Sequence, residues 1–287
     1  MSKLLIDTDC ELWFTLEPEL NATIIKMPYT ICDNEYFYDN GRTTDFDEFY
    51  KLVRAGNMPV TSALNPQQYL EILEPLFKEG EDMLYISFSD QLSSTFNHLE
   101  NALGQLKEKY PDVKFTRFDT KNISWGAGLQ AYFGAKYFNE GHSIEETVAF
   151  LEDFTNHVSV CFMADDLFHL KRGGRLTGLQ ATMGTLVGLK PMLNVTTEGK
   201  LSVIGKAIGA NKALAFFMDK FREKADMLDK YPVVIIDADN KEFAEKLKNK
   251  ILAEYPTANI WRYPVGPVIG THCGPGTVGL IFPAKER

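Results

Sequence analysis

The sequence predicts an α/β fold in two domains. We expect the N-terminal domain (residues 1–160) to have a mainly parallel sheet flanked by helices, and the C-terminal domain (residues 161–287) to be α+β with a mixed or antiparallel sheet. Three observations favour this fold. The length of 287 residues suits two domains of about 150 residues each. Strands alternate with helices through the first half, which is typical of parallel sheets. A hairpin pattern then appears in the second half.

The first half alternates short apolar strands with helices that carry one apolar face. In residues 44–55, Phe46, Phe49 and Val53 follow the helical spacing, and Gly56 ends the run. The predicted strands are residues 4–6, 23–31, 83–87, 113–118 and 158–163. The predicted helices are residues 44–55, 95–109, 125–139, 143 to about 157, and one from the Asn65 cap to Gly80.

The second half changes pattern after residue 164. Residues 191–195 and 201–206 are predicted strands, and the turn residues 196–200 between them indicate a hairpin. The other predicted strands are residues 233–237, 259–263 and 277–282. The predicted helices are residues 165–170, 177–188, 212–224 and 243–255.

Composition and charge exclude several classes of protein. Hydrophobic residues make up 45% and charged residues 24% of the chain, a globular balance that excludes disorder, collagen and coiled coil. Thirty Lys and Arg against 39 Asp and Glu give a net charge of −9. A general nucleic-acid or anionic-membrane surface would need a basic excess. We therefore expect no nucleic-acid partner and at most transient membrane contact.

Cysteine usage and the first residues point to the cytoplasm. The four cysteines, at positions 10, 32, 161 and 273, form no CxxC pair, so we expect free thiols in a reducing compartment. The opening MSKLLIDTDCEL has acidic residues where a signal peptide needs an apolar core. The five histidines do not fall at metal-ligand spacing, and we expect no metal.

Two hydroxyl-rich segments precede predicted helices. One contains Thr61 and Ser62, and the other runs through residues 87–95 with Ser93, Ser94 and Thr95. Loops at the carboxyl ends of parallel strands bind ligands, and a helix start favours anions. Either Ser93 or Ser94 could instead simply cap the helix. The sequence alone leaves both readings open.

Two glycine-rich segments carry possible functional side chains. Lys171, Arg172 and Arg175 flank a glycine pair, which fits either a phosphate or partner contact or a solvated helix end. His272 lies among the glycines and prolines of residues 266–276, and this density predicts a functional loop. Residues 265–284 carry no charge, which indicates an unusual buried backbone. Nucleotide-binding, lipase and zinc-protease motifs are all absent from the sequence.

Taken in order, these motifs resemble the DegV family of bacterial fatty-acid-binding proteins, the lipid-carrying subunits of fatty acid kinase. The resemblance runs essentially end to end, with serine at position 94 and phenylalanine at position 96 where the family usually has glycine and tyrosine. The matching residues are Asp7 and Thr8; Glu48, Phe49, Tyr50 and Gly56; Pro59, Thr61 and Ser62; Leu92, Ser93 and Thr95; Asp119 and Thr120; Leu170, Lys171, Gly173, Gly174 and Arg175; Leu189, Lys190 and Pro191; Gly266, Pro267, Gly270, Thr271, His272, Gly274, Pro275 and Gly276.

The resemblance implies an acyl chain between two α/β domains, with its carboxylate held by hydroxyls and a histidine. The carboxylate-binding residues would be Thr61, Ser62, Ser93, Ser94, Thr95 and His272. Lys171, Arg172 and Arg175 would support this site or face a partner. A separate ATP-dependent kinase subunit would convert the bound acid to acyl-phosphate. On this reading the chain holds no cofactor, binds no ATP and has no catalytic residue of its own.

The physics of a lipid site agrees with this reading, but alternatives stay open. Residues 176–189 and 265–284 are candidate apolar walls. A hydrolase would use Ser93 as nucleophile and His272 as base. A phosphotransferase-type subunit would bind a small polar ligand through a covalent or phosphohistidine adduct. A plain interaction protein would bind no small molecule.

Overall fold

The computed structural model describes residues 2–165, 167–176 and 188–287, and in them three sheets are surrounded by helices. The strands are β1 Lys3–Asp7, β2 Thr23–Ile25, β3 Pro28–Ile31, β4 Asn34–Phe37, β5 Val60–Thr61, β6 Met83–Ser87, β7 Phe115–Asp119, β8 Val158–Met163, β9 Leu189–Val195, β10 Leu201–Ile208, β11 Val233–Asp237, β12 Ile260–Pro264 and β13 Val278–Pro283. The α-helices are α1 Glu17–Leu20, α2 Phe46–Arg54, α3 Pro66–Lys78, α4 Thr95–Lys109, α5 Trp125–Asn139, α6 Ile144–Thr155, α7 Phe168–Arg172, α8 Ala210–Lys224, α9 Lys241–Glu254 and α10 Pro267–Cys273.

The first sheet confirms the predicted parallel arrangement. Its order is β2-β1-β6-β7, and every neighbouring pair is parallel. All five residues of β6 are buried, which is typical of a strand covered on both faces. The carboxyl ends of β1 and β6 lead into the turn Thr8–Cys10 and the segment before α4. These two connections come to the same edge of the sheet.

The predicted extended stretch 23–31 is divided between two sheets. Its first part, β2, pairs with β1, whereas β3 forms a small antiparallel sheet with β4 and β5. The break falls at Met27, whose backbone N–H donates to Thr8 Oγ1 at 2.9 Å instead of to a neighbouring strand. The small sheet positions Thr61, which pairs with Tyr29.

The second sheet corrects the prediction for β8. The sequence places this strand at the end of the first βα series, but it lies inside a six-stranded sheet of order β10-β9-β8-β13-β11-β12. Neighbours in this sheet are antiparallel except β11 and β12, as the prediction of a mixed sheet requires. Burial alone does not tell which sheet a strand joins. A boundary at residue 160 falls within β8, and the two-domain division stays a prediction.

The glycine-rich segment around His272 is a helix, so the prediction of a loop is wrong. Pro267 occupies the first turn of α10, and Gly274 ends the helix with φ +75°. Proline at a helix start and glycine just past its end are boundary residues. The predicted helix 165–170 corresponds in part to α7, and the predicted helix 177–188 lies almost wholly outside the described residues.

One hydrophobic core joins the first sheet to the second half of the chain. It contains Leu5 and Ile86 from the first sheet together with Ile236, Val268 and Ile281. Tyr50 strengthens this junction, because its hydroxyl donates to the carbonyl of Val265 at 2.8 Å. In the described ranges, no helix has the length and apolar character needed to cross a membrane.

Candidate functional site

A cavity of about 210 Å³ lies between the first and second sheets. Most of its wall is apolar, as in Phe88, Phe162, Ile236 and Ile281. The predicted wall 265–284 is largely buried and supplies several of the apolar lining residues, whereas the predicted wall 176–189 falls mainly outside the described residues. A long apolar slot with a few polar groups is the form that a lipid site takes.

The structure brings all six predicted carboxylate-binding residues to this one cavity. Ser62 and Ser94 are exposed at its mouth, and Thr95 is buried. Of the three predicted cationic residues, only Arg175 lines the cavity, and Lys171 and Arg172 do not. The six residues are Thr61, Ser62, Ser93, Ser94, Thr95 and His272.

The hydroxyls near the start of α4 differ in their partners. Ser93 Oγ accepts a hydrogen bond from the Thr95 N–H at 3.2 Å, so Ser93 satisfies one N–H at the helix start without being the N-cap residue. Ser94 occupies the N-cap position but makes no capping bond with its side chain. Thr95 Oγ1 lies 2.8 Å from the hydroxyl of Tyr69. Ser94 therefore keeps a hydroxyl available at the cavity mouth.

His272 reaches the cavity because α10 is helical. Val268, Ile269, His272 and Cys273 all line the cavity, and their spacing of three to four residues places them on one helix face. His272 Nε2 lies 2.9 Å from Thr61 Oγ1. Within the described part of the chain, Nδ1 of this ring is buried without a hydrogen-bond partner.

The His272 ring is neutral. Burial first, and then the charges of Arg175, Arg172 and His169, lower the pKa of His272 from 6.5 to about 3. The ring fits against Gly173, where a Cβ would lie 2.4 Å from Nδ1. A neutral imidazole can donate one hydrogen bond and accept another, but it is a very weak base at this pKa.

Arg172 and Arg175 tie the two hydroxyl-bearing segments to the end of α7. Arg172 donates to the carbonyl of Pro59 at 2.6 Å, two residues before Thr61. Arg175 donates through Nε to the carbonyl of Leu92 at 3.0 Å, directly before Ser93. These bonds were not predicted, because they join positions more than 80 residues apart. Lys171 is exposed to solvent.

An open groove adjoins the hydroxyl end of the cavity. It has a volume of about 610 Å³ and shares Leu92, Ser93, Ser94 and Arg175 with the cavity. Its remaining lining is largely polar and includes Arg117, which forms an ion pair with Asp90 at 3.2 Å. The polar end of the cavity therefore lies next to the protein surface.

Asp9 is a cavity residue that sequence reasoning missed. It is only 7% exposed, and in the described residues its Oδ1 has no hydrogen-bond partner. Burial raises the pKa of Asp9 well above its ordinary value, and the neighbouring charges of Asp7 and Glu11 raise it further. The sequence feature that could have identified Asp9 is the pair of acidic residues, Asp7 and Asp9, at the carboxyl end of the first strand.

The geometry does not support the hydrolase alternative. Ser93 bonds to Thr95 N–H, and His272 bonds to Thr61, so the nucleophile and base that this alternative needs are not paired. A base with a pKa of about 3 would also be a poor proton acceptor at neutral pH. The apolar walls argue against a small polar ligand of the phosphotransferase type.

Comparisons with known proteins agree on one family. A sequence model described as "Uncharacterised protein, DegV family" matches residues 2–285. A DegV domain-containing protein of Clostridium perfringens is 34% identical over 284 residues, covering 98% of each chain.

Solved structures share the fold. A DegV family protein of Thermus thermophilus, described by its fatty acid binding, has a TM-score of 0.85 at 27% identity over 97% of this chain and 98% of that one. The Streptococcus pneumoniae fatty acid kinase B3 protein loaded with linoleic acid has a TM-score of 0.80 at 19% identity over 99% of both chains, a likeness of fold. Since the family model spans almost the whole chain and a relative above 30% identity covers 98% of it, the chain belongs to the DegV family.

Proposed function

We propose that this protein binds a long-chain fatty acid in the cavity between its two sheets and presents the carboxylate at the surface. One observation carries the proposal: a mainly apolar cavity ends in neutral hydroxyl and imidazole groups beside an open groove. The Thermus thermophilus relative, described by its fatty acid binding, supports the same ligand class.

Neutral donors hold the head group in this proposal. His272 Nε2 lies 2.9 Å from Thr61 Oγ1, and in this proposal the neutral ring carries its proton on Nε2 and donates it to that oxygen. The Thr61 hydroxyl then has its own proton free for a carboxylate oxygen. Ser62, Ser93 and Ser94 supply further hydroxyls. A carboxylate solvated in this way stays nucleophilic, whereas a bidentate arginine would occupy both oxygens.

The acyl chain supplies most of the gross binding free energy. Burial of about 14 methylenes at ~0.8 kcal/mol each gives ~11 kcal/mol. Association costs about 4–15 kcal/mol, so the tail alone gives modest affinity. The head-group contacts therefore decide whether binding is tight.

A separate ATP-dependent kinase subunit phosphorylates the bound acid, and this chain binds no ATP itself. The proposal is supported by the groove that adjoins Ser93 and Ser94, because a partner's nucleotide could approach the carboxylate there. Lys171, exposed near this end, would meet the partner's phosphates. Arg172 and Arg175 would mainly hold the two hydroxyl segments.

Mass spectrometry of lipid released from denatured, freshly purified protein tests the ligand. We expect a long-chain fatty acid, and protein without lipid should take up added palmitic acid. Ser93→Ala should weaken fatty-acid binding by about 1–3 kcal/mol, because the buried carboxylate of the ligand loses the hydrogen bond donated by the Ser93 hydroxyl. Ser202→Ala, on a strand that lines the cavity elsewhere, is the matched control. Absence of both released lipid and uptake would contradict the proposal.

A further inference from the structure

We propose that Asp9 is a further ligand-binding residue, whose protonated carboxyl group donates a hydrogen bond to the carboxylate of the fatty acid so that the two groups share one proton. This inference rests on the proposed function. It adds a proton donor of a different chemical type to the hydroxyls and the imidazole. It also makes protonation of the protein part of lipid binding.

The first support is that Asp9 is held in place but unpaired. Its backbone is fixed, because its N–H donates to Asp7 Oδ1 at 3.0 Å and its carbonyl accepts from the Ser124 N–H at 2.9 Å. Its side chain lines the cavity at 7% exposure, and Oδ1 has no partner in the residues that the structure describes. A buried polar group without a hydrogen bond is costly, so the cavity's occupant is the natural partner.

The second support is that, among the residues that the structure describes, no cation forms an ion pair with Asp9. Arg175 is near enough to interact electrostatically, but its Nε and Nη1 donate to the carbonyls of Leu92 and Gly173. In the described ranges Asp9 takes part in no ion pair within 4.0 Å. An unpaired buried carboxyl favours its neutral form, and the neutral form carries the proton that a ligand carboxylate can accept.

The groups around Asp9 reinforce this protonation. Asp7 and Glu11, on either side of Asp9 in the chain, act as like charges, and Arg175 acts in the opposite direction. Cys10, Tyr38 and Tyr69 also interact with Asp9 electrostatically. Asp9 interacts with Tyr69, which bonds to Thr95, and with Arg175, which bonds to the carbonyl before Ser93, and from these two contacts we infer that Asp9 lies toward the hydroxyl end of the cavity. Two carboxyl groups in one low-dielectric site share a proton rather than both ionising.

Two substitutions of Asp9 test whether its side chain must donate a hydrogen bond to the ligand or need only avoid placing a negative charge beside it. Asp9→Asn keeps a donor of the same shape, and its affinity for lauric acid at pH 7 should lie within about threefold of wild type. Asp9→Leu keeps the size without a donor and should bind about 10–100-fold more weakly. Asp39→Asn is the control, because Asp39 is equally buried, is bonded to Thr43 and Thr44 and does not line the cavity. It should leave affinity unchanged.

Infrared difference spectra give an independent readout that does not depend on a stable leucine variant. Addition of lauric acid labelled with carbon-13 at its carboxyl should shift the carbonyl stretch of a protonated carboxyl group, and Asp9→Asn should abolish that shift. Asp9→Leu binding as tightly as wild type, equal losses in the two variants, or a band unaffected by Asp9→Asn would each overturn the inference. Failure of wild type to bind lauric or palmitic acid at all would instead contradict the proposed function.

Discussion

The hydroxyl of Thr61 lies 2.9 Å from Nε2 of His272, although 211 residues separate them in the chain. Thr61 comes from the small antiparallel sheet, and His272 comes from the last turn of α10. The bond therefore joins elements from the first and second halves of the chain at the mouth of one cavity.

Replacement of Thr61 by valine keeps the shape and removes the hydroxyl. We expect fatty-acid affinity to fall by about 1–3 kcal/mol, because His272 loses its partner and the carboxylate loses a donor. Isothermal titration with palmitic acid measures the effect. Thr30→Val, on the neighbouring strand β3 and outside the cavity, should bind as wild type does. Equal affinities for the two variants would contradict the assigned role of Thr61.

Replacement of Gly173 by alanine should displace the His272 ring. Gly173 has φ −74°, so alanine meets no backbone strain, but its Cβ would lie 2.4 Å from Nδ1. We expect lipid affinity to fall by at least tenfold while the fold is retained. Gly104→Ala is the control, because nothing lies within 4 Å of that position in α4, and alanine should stabilise the helix there by about 0.5–1 kcal/mol. Unchanged lipid binding in Gly173→Ala would mean that the ring position does not matter.

Alanine substitutions of Lys171 and Arg175 should have different effects on lipid binding and on phosphorylation of the bound acid. The sequence grouped both residues with Arg172 as supporting the site or facing a partner, and in the structure Arg175 lines the cavity and bonds to the carbonyl of Leu92. We therefore expect Arg175→Ala to lose both lipid exchange and kinase-coupled ATP consumption. Lys171→Ala should exchange lipid as wild type does and lose coupled ATP consumption. Normal coupled activity in Lys171→Ala would remove that lysine from the partner surface.

Low pH should destabilise the protein through His272. Its pKa is 6.5 in a model peptide and about 3 in the fold, so the unfolded state binds the proton more readily between these values. The contribution of His272 to stability is fully present above pH 6.5 and is lost as the pH decreases toward 3. At pH 5 the wild type should have lost about 2 kcal/mol relative to His272→Gln, at about 1.4 kcal/mol per pH unit. Urea unfolding of both proteins at pH 7 and pH 5 measures this difference. If wild type and His272→Gln lose the same free energy of unfolding between the two pH values, His272 is not the group responsible.

Local patterns predicted the elements well, because caps and apolar spacing are encoded within a few residues. The helices at Thr95–Lys109 and Trp125–Asn139 and the strand at Met83–Ser87 have the predicted ends. The capping box of Ser143 and Glu146 is also confirmed. These features depend only on neighbours along the chain.

The features that sequence missed depend on contacts between distant segments. The pattern of β8 fits either sheet, and only its pairing with β9 and β13 decides between them. The glycines around His272 suggested a loop, but they mark the end of α10 and its close contact with Tyr50. The carbonyl contacts of Arg172 and Arg175 and the unpaired oxygen of Asp9 have no signature in local spacing.

The position of β13 has a consequence for how the lipid site is made. This strand is synthesised after every other strand that the structure describes, yet it lies between β8 and β11 in the interior of the second sheet. Its residues Gly279 and Ile281 also line the cavity. While the chain is still emerging from the ribosome, the second sheet lacks an inner strand, and the cavity lacks one wall. A nascent chain without β13 therefore has an incomplete cavity, and the proposed lipid site can form only after β13 has been synthesised.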